Sequence, residues 1–186
     1  MTDWTTPITW IFEQVVTEDD LNEQIRDNMT FLHYLAEAIV LVDQKAQNTA
    51  GGGTTTGSYL KHDLTTEVRD PSNRCSLVSS AFTLTAGTYL FLSWVTGYKC
   101  GLLHTRLYNS TDAVAVATVY GGSAASANAD AVSVLSVALG VFTITGSKTF
   151  ELQYQASVAQ ATNGLGIAGN FGVETYAGVI LLPIAG

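Results

Sequence analysis

Residues 17–46 read TEDDLNEQIRDNMTFLHYLAEAIVLVDQKA, and the fold of the chain turns on how this stretch is read. Written in heptads, it puts Leu21, Asn28, Leu35 and Val42 at d and Ile25, Leu32, Ile39 and Ala46 at a. That spacing keeps one apolar seam of a helix facing a partner. Thr17 is the expected N-cap, Asp20 stands where a capping-box acid belongs, and Glu18 and Asp19 put negative charge on the first turn. The flanking e and g positions carry Asn22, Gln24, Met29, Phe31, Ala36 and Ala38 rather than paired charges, which suits three strands better than two. The spacing therefore predicts a trimeric coiled-coil helix over 17–46, with Leu21, Ile25, Asn28, Leu32, Leu35, Ile39 and Val42 at the trimer interface. Asn28 would form the one polar layer and fix the register. The alternative is a helix folded back onto its own domain, with Phe31, Val40 and Leu41 also buried.

With 186 residues, 47% of them hydrophobic and 13% charged, the chain can bury one good core and carry an appendage. The net charge of -8 is unevenly spread. Residues 1–50 hold two basic and nine acidic residues, a net of -7, and the remainder holds six and seven, a net of -1. Nothing here makes a basic groove, so no nucleic acid partner is expected. The front of the chain is acidic and aromatic where a secretory signal would be basic and then apolar, and no segment approaches a membrane span, so a soluble protein with no membrane partner is expected. Cys75 and Cys100 are too few for a disulfide framework and read as small buried residues, with a single Cys75–Cys100 bridge as the alternative.

Ahead of the helix, Trp4, Pro7, Ile8, Trp10, Ile11 and Phe12 crowd apolar residues into a stretch too short for its own core. Residues 1–16 therefore read as an arm that lies on the helix or a neighbouring subunit, or that anchors the protein to a larger assembly. Residues 47–58, with Gly51, Gly52, Gly53 and Gly57, read as a linker. From Tyr59 onward the period changes to two. Tyr89, Phe91, Ser93 and Val95 alternate with Leu90, Leu92, Trp94 and Thr96. Leu103, Thr105 and Leu107 alternate with His104, Arg106 and Tyr108, and Phe150, Leu152, Tyr154 and Ala156 with Glu151, Gln153 and Gln155. Turn signals at Asn109–Asp112, Gly121–Ser123, Gly146–Lys148 and Asn163–Gly164 separate them, so 59–186 reads as an all-β sandwich. The segment 131–145 has no polar face, so a strand there must be covered on both sides, by the opposing sheet and by either sister subunits or a loop.

Two resemblances add to this. Trp10, Val16-Thr17, Leu21-Asn22, Ile25-Arg26-Asp27-Asn28 and Phe31-Leu32 resemble a short module near the N-terminus of many tailed-bacteriophage structural proteins. The resemblance implies a segment that connects a distal domain to the virion. This chain has Ile11-Phe12-Glu13-Gln14 where members usually carry a glycine turn. Gly87-Thr88-Tyr89-Leu90-Phe91 and Ala177–Ile184 are similar to the matching strands of C1q and tumour-necrosis-factor-like jelly rolls, and Gly164–Ala168, Asn170–Gly172 and Glu174–Tyr176 are similar to the end of phage members of that group. That likeness implies a compact, homotrimeric jelly-roll head.

Catalytic constellations are sparse. His33 lies outside the seam, His62-Asp63 reads as a turn or strand edge, and His104 with Arg106 reads as the solvent or partner face of a strand. No histidine pair has zinc spacing and no loop repeats the calcium pattern, so neither metal nor cofactor is expected. Asp112, Asp130, Glu151 and Glu174 have no glycosidase-like spacing. The combined expectation is a mainly β, homotrimeric, non-enzymatic virion structural protein of a tailed phage, assembled in the host cytoplasm. It would be a capsid decoration, cement or head-fibre protein, anchored on the major capsid protein or another virion protein through Trp4, Trp10, Phe12, Phe31 and Leu41. The alternative is a short tail fibre whose loops at 109–112 or 121–128 contact a host surface glycan.

Overall fold

The computed structural model describes residues 5–35, 37–122 and 132–185. After the arm the first regular element is a helix: α1 (Glu18–Leu21), a π-helical stretch (Asn22–Asp27) and α2 (Asn28–Leu35). Its start is the capping box read from sequence, with the Asp20 amide donating to Thr17 Oγ1 at 3.2 Å and the Thr17 amide donating to Asp20 Oδ2 at 2.9 Å. The second half of the heptad reading is overturned. Residues 39–45 form strand β1 (Ile39–Lys45), and Ile39 and Leu41 are fully buried while Val42 is nearly so. The four-residue apolar run Ile39-Val40-Leu41-Val42 satisfies strand alternation as well as heptad spacing, and pairing with the C-terminal strand decides between them. The junction is pinned by Glu37, which is buried and accepts from Arg74 Nε at 2.9 Å.

The remaining strands are β2 (Leu60–Lys61), β3 (Thr66–Arg69), β4 (Cys75–Val78), β5 (Ala81–Leu84), β6 (Gly87–Tyr98), β7 (Leu103–Asn109), β8 (Val114–Gly122), β9 (Ser133–Ile144), β10 (Lys148–Ala156) and β11 (Glu174–Ala185). They form one antiparallel sheet in the order β3-β1-β11-β6-β9-β8-β7-β10-β5-β4, with β2 added to β10. The sheet curls onto itself. Phe142 of β9 and Phe150 of β10 are separated by two strands along the sheet, yet their rings meet at 5.1 Å, and Thr105 of β7 bonds Ser136 of β9 at 3.0 Å. The result is an inner leaf, β3-β1-β11-β6-β9, facing an outer leaf, β8-β7-β10-β5-β4. Tyr89, Phe91, Phe82, Phe150, Leu103, Leu107, Leu152 and Leu181 fill the space between. The leaves join where β8 meets β9, and glycine makes that approach feasible: a Cβ at Gly140 would overlap the Thr118 carbonyl oxygen.

The glycine segment expected as a linker is bonded into the head. The Gly51 amide donates to Gly166 O at 3.0 Å, the Leu165 amide to Gly52 O at 3.0 Å, and Thr54 and Gln160 exchange backbone bonds at 2.7 and 3.0 Å. The jelly roll therefore takes in β1 and this crossing as well as the residues from Tyr59 onward. Both thiols are free; Cys100 is buried, and burial pushes the Cys75 thiol up to about 12.

Candidate assembly surface

Strand alternation gives the inner leaf two faces. One fills the core; the other carries Leu90, Leu92 and Trp94 of β6, Leu135, Val137, Leu139 and Val141 of β9, and Ile180, Leu182 and Ile184 of β11. Register makes these residues contiguous. Ile180, Leu92 and Leu139 form one row across three strands, and Leu182, Leu90 and Val141 form the next. Trp94 lies flat across Gly178, where any Cβ would overlap its indole ring. Leu135, Val137, Leu139 and Val141 remain 43–60% exposed. A strand apolar on both faces was expected to be covered on both; within one chain the core covers one face and the β9 part of the other stays open.

A second apolar surface lies on the N-terminal unit. The arm runs back along the helix and is held by two amide side chains one turn apart. Asn28 accepts from the Thr5 amide at 2.9 Å and donates to the Thr5 carbonyl at 3.0 Å, while Gln24 Oε1 accepts from the Ile8 amide at 3.0 Å. Asn28 is thus buried by its own arm, which corrects its expected place as a polar layer between chains. Trp10, Ile11, Phe12, Val15, Leu21, Ile25, Met29 and Leu32 are exposed, Phe12 at 92%. Replacing Asn28 by Leu is expected to free the arm at a cost of about 1–3 kcal/mol for the lost backbone partners. Limited chymotrypsin digestion at Trp10 and Phe12 reads this out as faster cleavage; an unchanged rate would mean that Gln24 suffices.

The residues proposed from sequence divide accordingly. Leu21, Ile25 and Leu32 are on the helix and half-exposed to exposed, Phe31 is half-buried, and Trp10 and Phe12 project from the arm. Ile39 and Leu41 point into the jelly-roll core and Val42 is buried on β1, so none of the three belongs to a coiled-coil seam or an anchoring surface. Trp4 and the Leu35 side chain lie outside the described residues, as do residues 123–128 of the loop considered for glycan contact. The other such loop is occupied with itself: Asn109 Nδ2 donates to Asp112 Oδ2 at 2.8 Å, and Lys148 pairs with Asp112 at 2.7 Å, which holds that carboxyl below the usual range. Sequence reasoning did not assign the outward-facing apolar residues of β6 and β11. Their signal was present in Leu90-Phe91-Leu92 and Val179-Ile180-Leu181-Leu182, runs apolar at consecutive positions.

The outer leaf exposes a different chemistry. Tyr59, His104, Arg106, Tyr120, Gln153 and Gln155 share one face, with Gln155 opposite His104 and Gln153 opposite Arg106. The Arg106 guanidinium lies 3.7 Å over the Tyr59 ring and donates twice to Gln153 Oε1, at 3.0 and 2.8 Å. His104 Nδ1 meets the Tyr59 hydroxyl at 2.6 Å. Burial, and then the Arg106 charge, lower the His104 pKa, so its ring is neutral near pH 7.

No family model matches this chain, and no curated protein matches it. Among solved structures, murine APRIL aligns over 77% of this chain and 96% of its own, at 12% identity and a TM-score of 0.50. The fold is a C1q/TNF-like jelly roll. The globular domain of zebrafish complement 1qA aligns over 80% of this chain and 97% of its own, at 15% identity and a TM-score of 0.46. In that fold the chain carries its uncovered apolar residues on the inner leaf and its polar and aromatic cluster on the outer one.

Proposed function

We propose that this chain is a homotrimeric, non-enzymatic structural protein of a tailed-phage particle, a decoration, cement or head-fibre protein held on the capsid by its arm and helix. One observation carries the threefold reading: the open apolar rows of the inner leaf, centred on Leu92 and Leu139. A soluble chain rarely leaves so large an apolar patch in water, and sister copies are its simplest cover. The phage context rests on the N-terminal module, and the exposed Trp10, Ile11, Phe12 and Val15 give that module apolar contacts for a capsid surface. Three arms on one trimer raise the effective concentration for docking, so weak single contacts give durable attachment.

Absolute protein quantification on purified particles, with a gold label fused after Gly186, tests the assignment. Copies distributed over the shell are expected. A few copies at the tail would replace this reading with the receptor-binding fibre, and absence from the particle would end both.

A further inference from the structure

We propose that the outer leaf carries a binding site for a neutral saccharide, in a cavity of about 330 Å³ at the ends of β7 and β10, lined by Leu102, His104, Gln155, Ala156 and Ser157. This goes beyond the structural role above and does not depend on it. The cavity is at the small end of ligand pockets, the size for a ring or two.

Its polar groups suit hydroxyls. Gln155 lies directly opposite His104 in the β7–β10 ladder, so the amide and the imidazole stand side by side. The Gln155 amide makes no hydrogen bond among the described residues and keeps both its donors and its acceptor for a ligand. Tyr59 occupies His104 Nδ1, which leaves Nε2 as the nitrogen available to the cavity. The Ser157 hydroxyl oxygen accepts from the Leu102 amide at 2.7 Å, and its own proton is still free to donate.

Charge points the same way. No carboxylate among the described residues lines the cavity, and the neighbouring Arg106 is turned away, stacked on Tyr59 and bonded to Gln153. Aromatic surface flanks the polar groups: Tyr59 stands edge-on to His104 at 5.9 Å, and Tyr120, 44% exposed, lies tilted beside it at 5.8 Å. Neutral donors and acceptors over an apolar floor, with aromatic rings packed against His104 at the cavity's flank, match a sugar ring, which alternates hydroxyls with C–H faces. Tyr120 pairs with Leu139 across the β8–β9 ladder, so the open apolar rows end beside the site, while the cavity itself lies farther on, at the ends of β7 and β10.

The test is amide and side-chain NMR of the full chain with methyl glycosides of glucose, galactose and N-acetylglucosamine, and separately with sialyllactose. Titration runs to about 50 mM, since so small a ligand binds at about millimolar strength. At least one neutral glycoside is expected to shift the resonances of His104 and Gln155. Gln155→Ala, which removes no internal bond, is expected to weaken that binding roughly tenfold or more without changing thermal stability. Glu151→Gln, further along the same face, is expected to leave binding unchanged. No shift at His104 and Gln155 with any neutral glycoside, a response to sialyllactose alone, or undiminished binding by Gln155→Ala would overturn the proposal.

Discussion

Leu139→Asp is expected to convert a three-chain species into single 19.7 kDa chains in sedimentation equilibrium, with the far-ultraviolet spectrum of the jelly roll unchanged. Leu139 sits at the centre of the open face, opposite Leu92 on β6 and Tyr120 on β8, and is 60% exposed in one chain. Burying its remaining exposed surface against sister copies would contribute about 1–2 kcal/mol per chain. An aspartate there forfeits this and adds a desolvation cost of several kcal/mol for each of three carboxylates brought together. The combined loss of about 10 kcal/mol or more corresponds to about seven orders of magnitude in the association constant. Leu139 points away from the core, so the single chain should fold with stability within about 0.5 kcal/mol of its parent. A wild-type protein that already sediments as one chain would remove the physical basis of the threefold assembly. A variant that stays trimeric would move assembly to the arm and helix, where Leu21, Ile25 and Leu32 remain exposed.

The two outcomes separate two halves of the sequence reading. Alternation identified β6, β7 and β10 because their polar and apolar residues face outward and core by turns, a pattern the fold preserves except at Gln153 of β10, which is buried beside Arg106. The capping box at Thr17 and Asp20 was legible for a similar reason, since its partners are three residues apart. Ile39 to Val42 was misread because four consecutive apolar residues fit a heptad seam and a buried strand alike, and what decides is pairing with residues 178–181. Asn28 was read correctly as buried, but its partner is the backbone at Thr5, 23 residues upstream. No local pattern names such a partner. The outer-leaf cavity was invisible for the same reason: His104 and Gln155 lie 51 positions apart and meet only through the ladder.

Acid is expected to destabilise the head through His62, the residue that sequence placed at a turn or strand edge and that follows β2. Its ring is fully buried, edge-on to Tyr154 at 5.6 Å, and its Nδ1–H donates to the Asp63 carbonyl at 3.1 Å. Nε2 has no partner among the described residues, so a second proton would enter an apolar site without an acceptor. Burial accordingly lowers the His62 pKa from 6.5 to about 4. The unfolded chain takes up this proton near pH 6.5 and the folded chain only near pH 4, so stability is complete above pH 6.5 and falls by about 3 kcal/mol as pH drops through that window. Asp43 works in the opposite sense. Its buried carboxyl, 3.9 Å from His62 Nδ1 and 3.1 Å from Lys45 Nζ, has a raised pKa, so its contribution is largest in acid and is lost as pH rises through the folded pKa. Exposed Asp63 faces the same Lys45 at 3.8 Å. His62→Phe keeps a ring against Tyr154 and removes the titration. Urea unfolding of the Leu139→Asp single chain, with and without His62→Phe, at about pH 7 and about pH 4.5 isolates this effect from chain association. Most of the acid loss is expected to vanish in the phenylalanine variant. Equal losses in the two proteins would assign the acid sensitivity to the carboxylates instead.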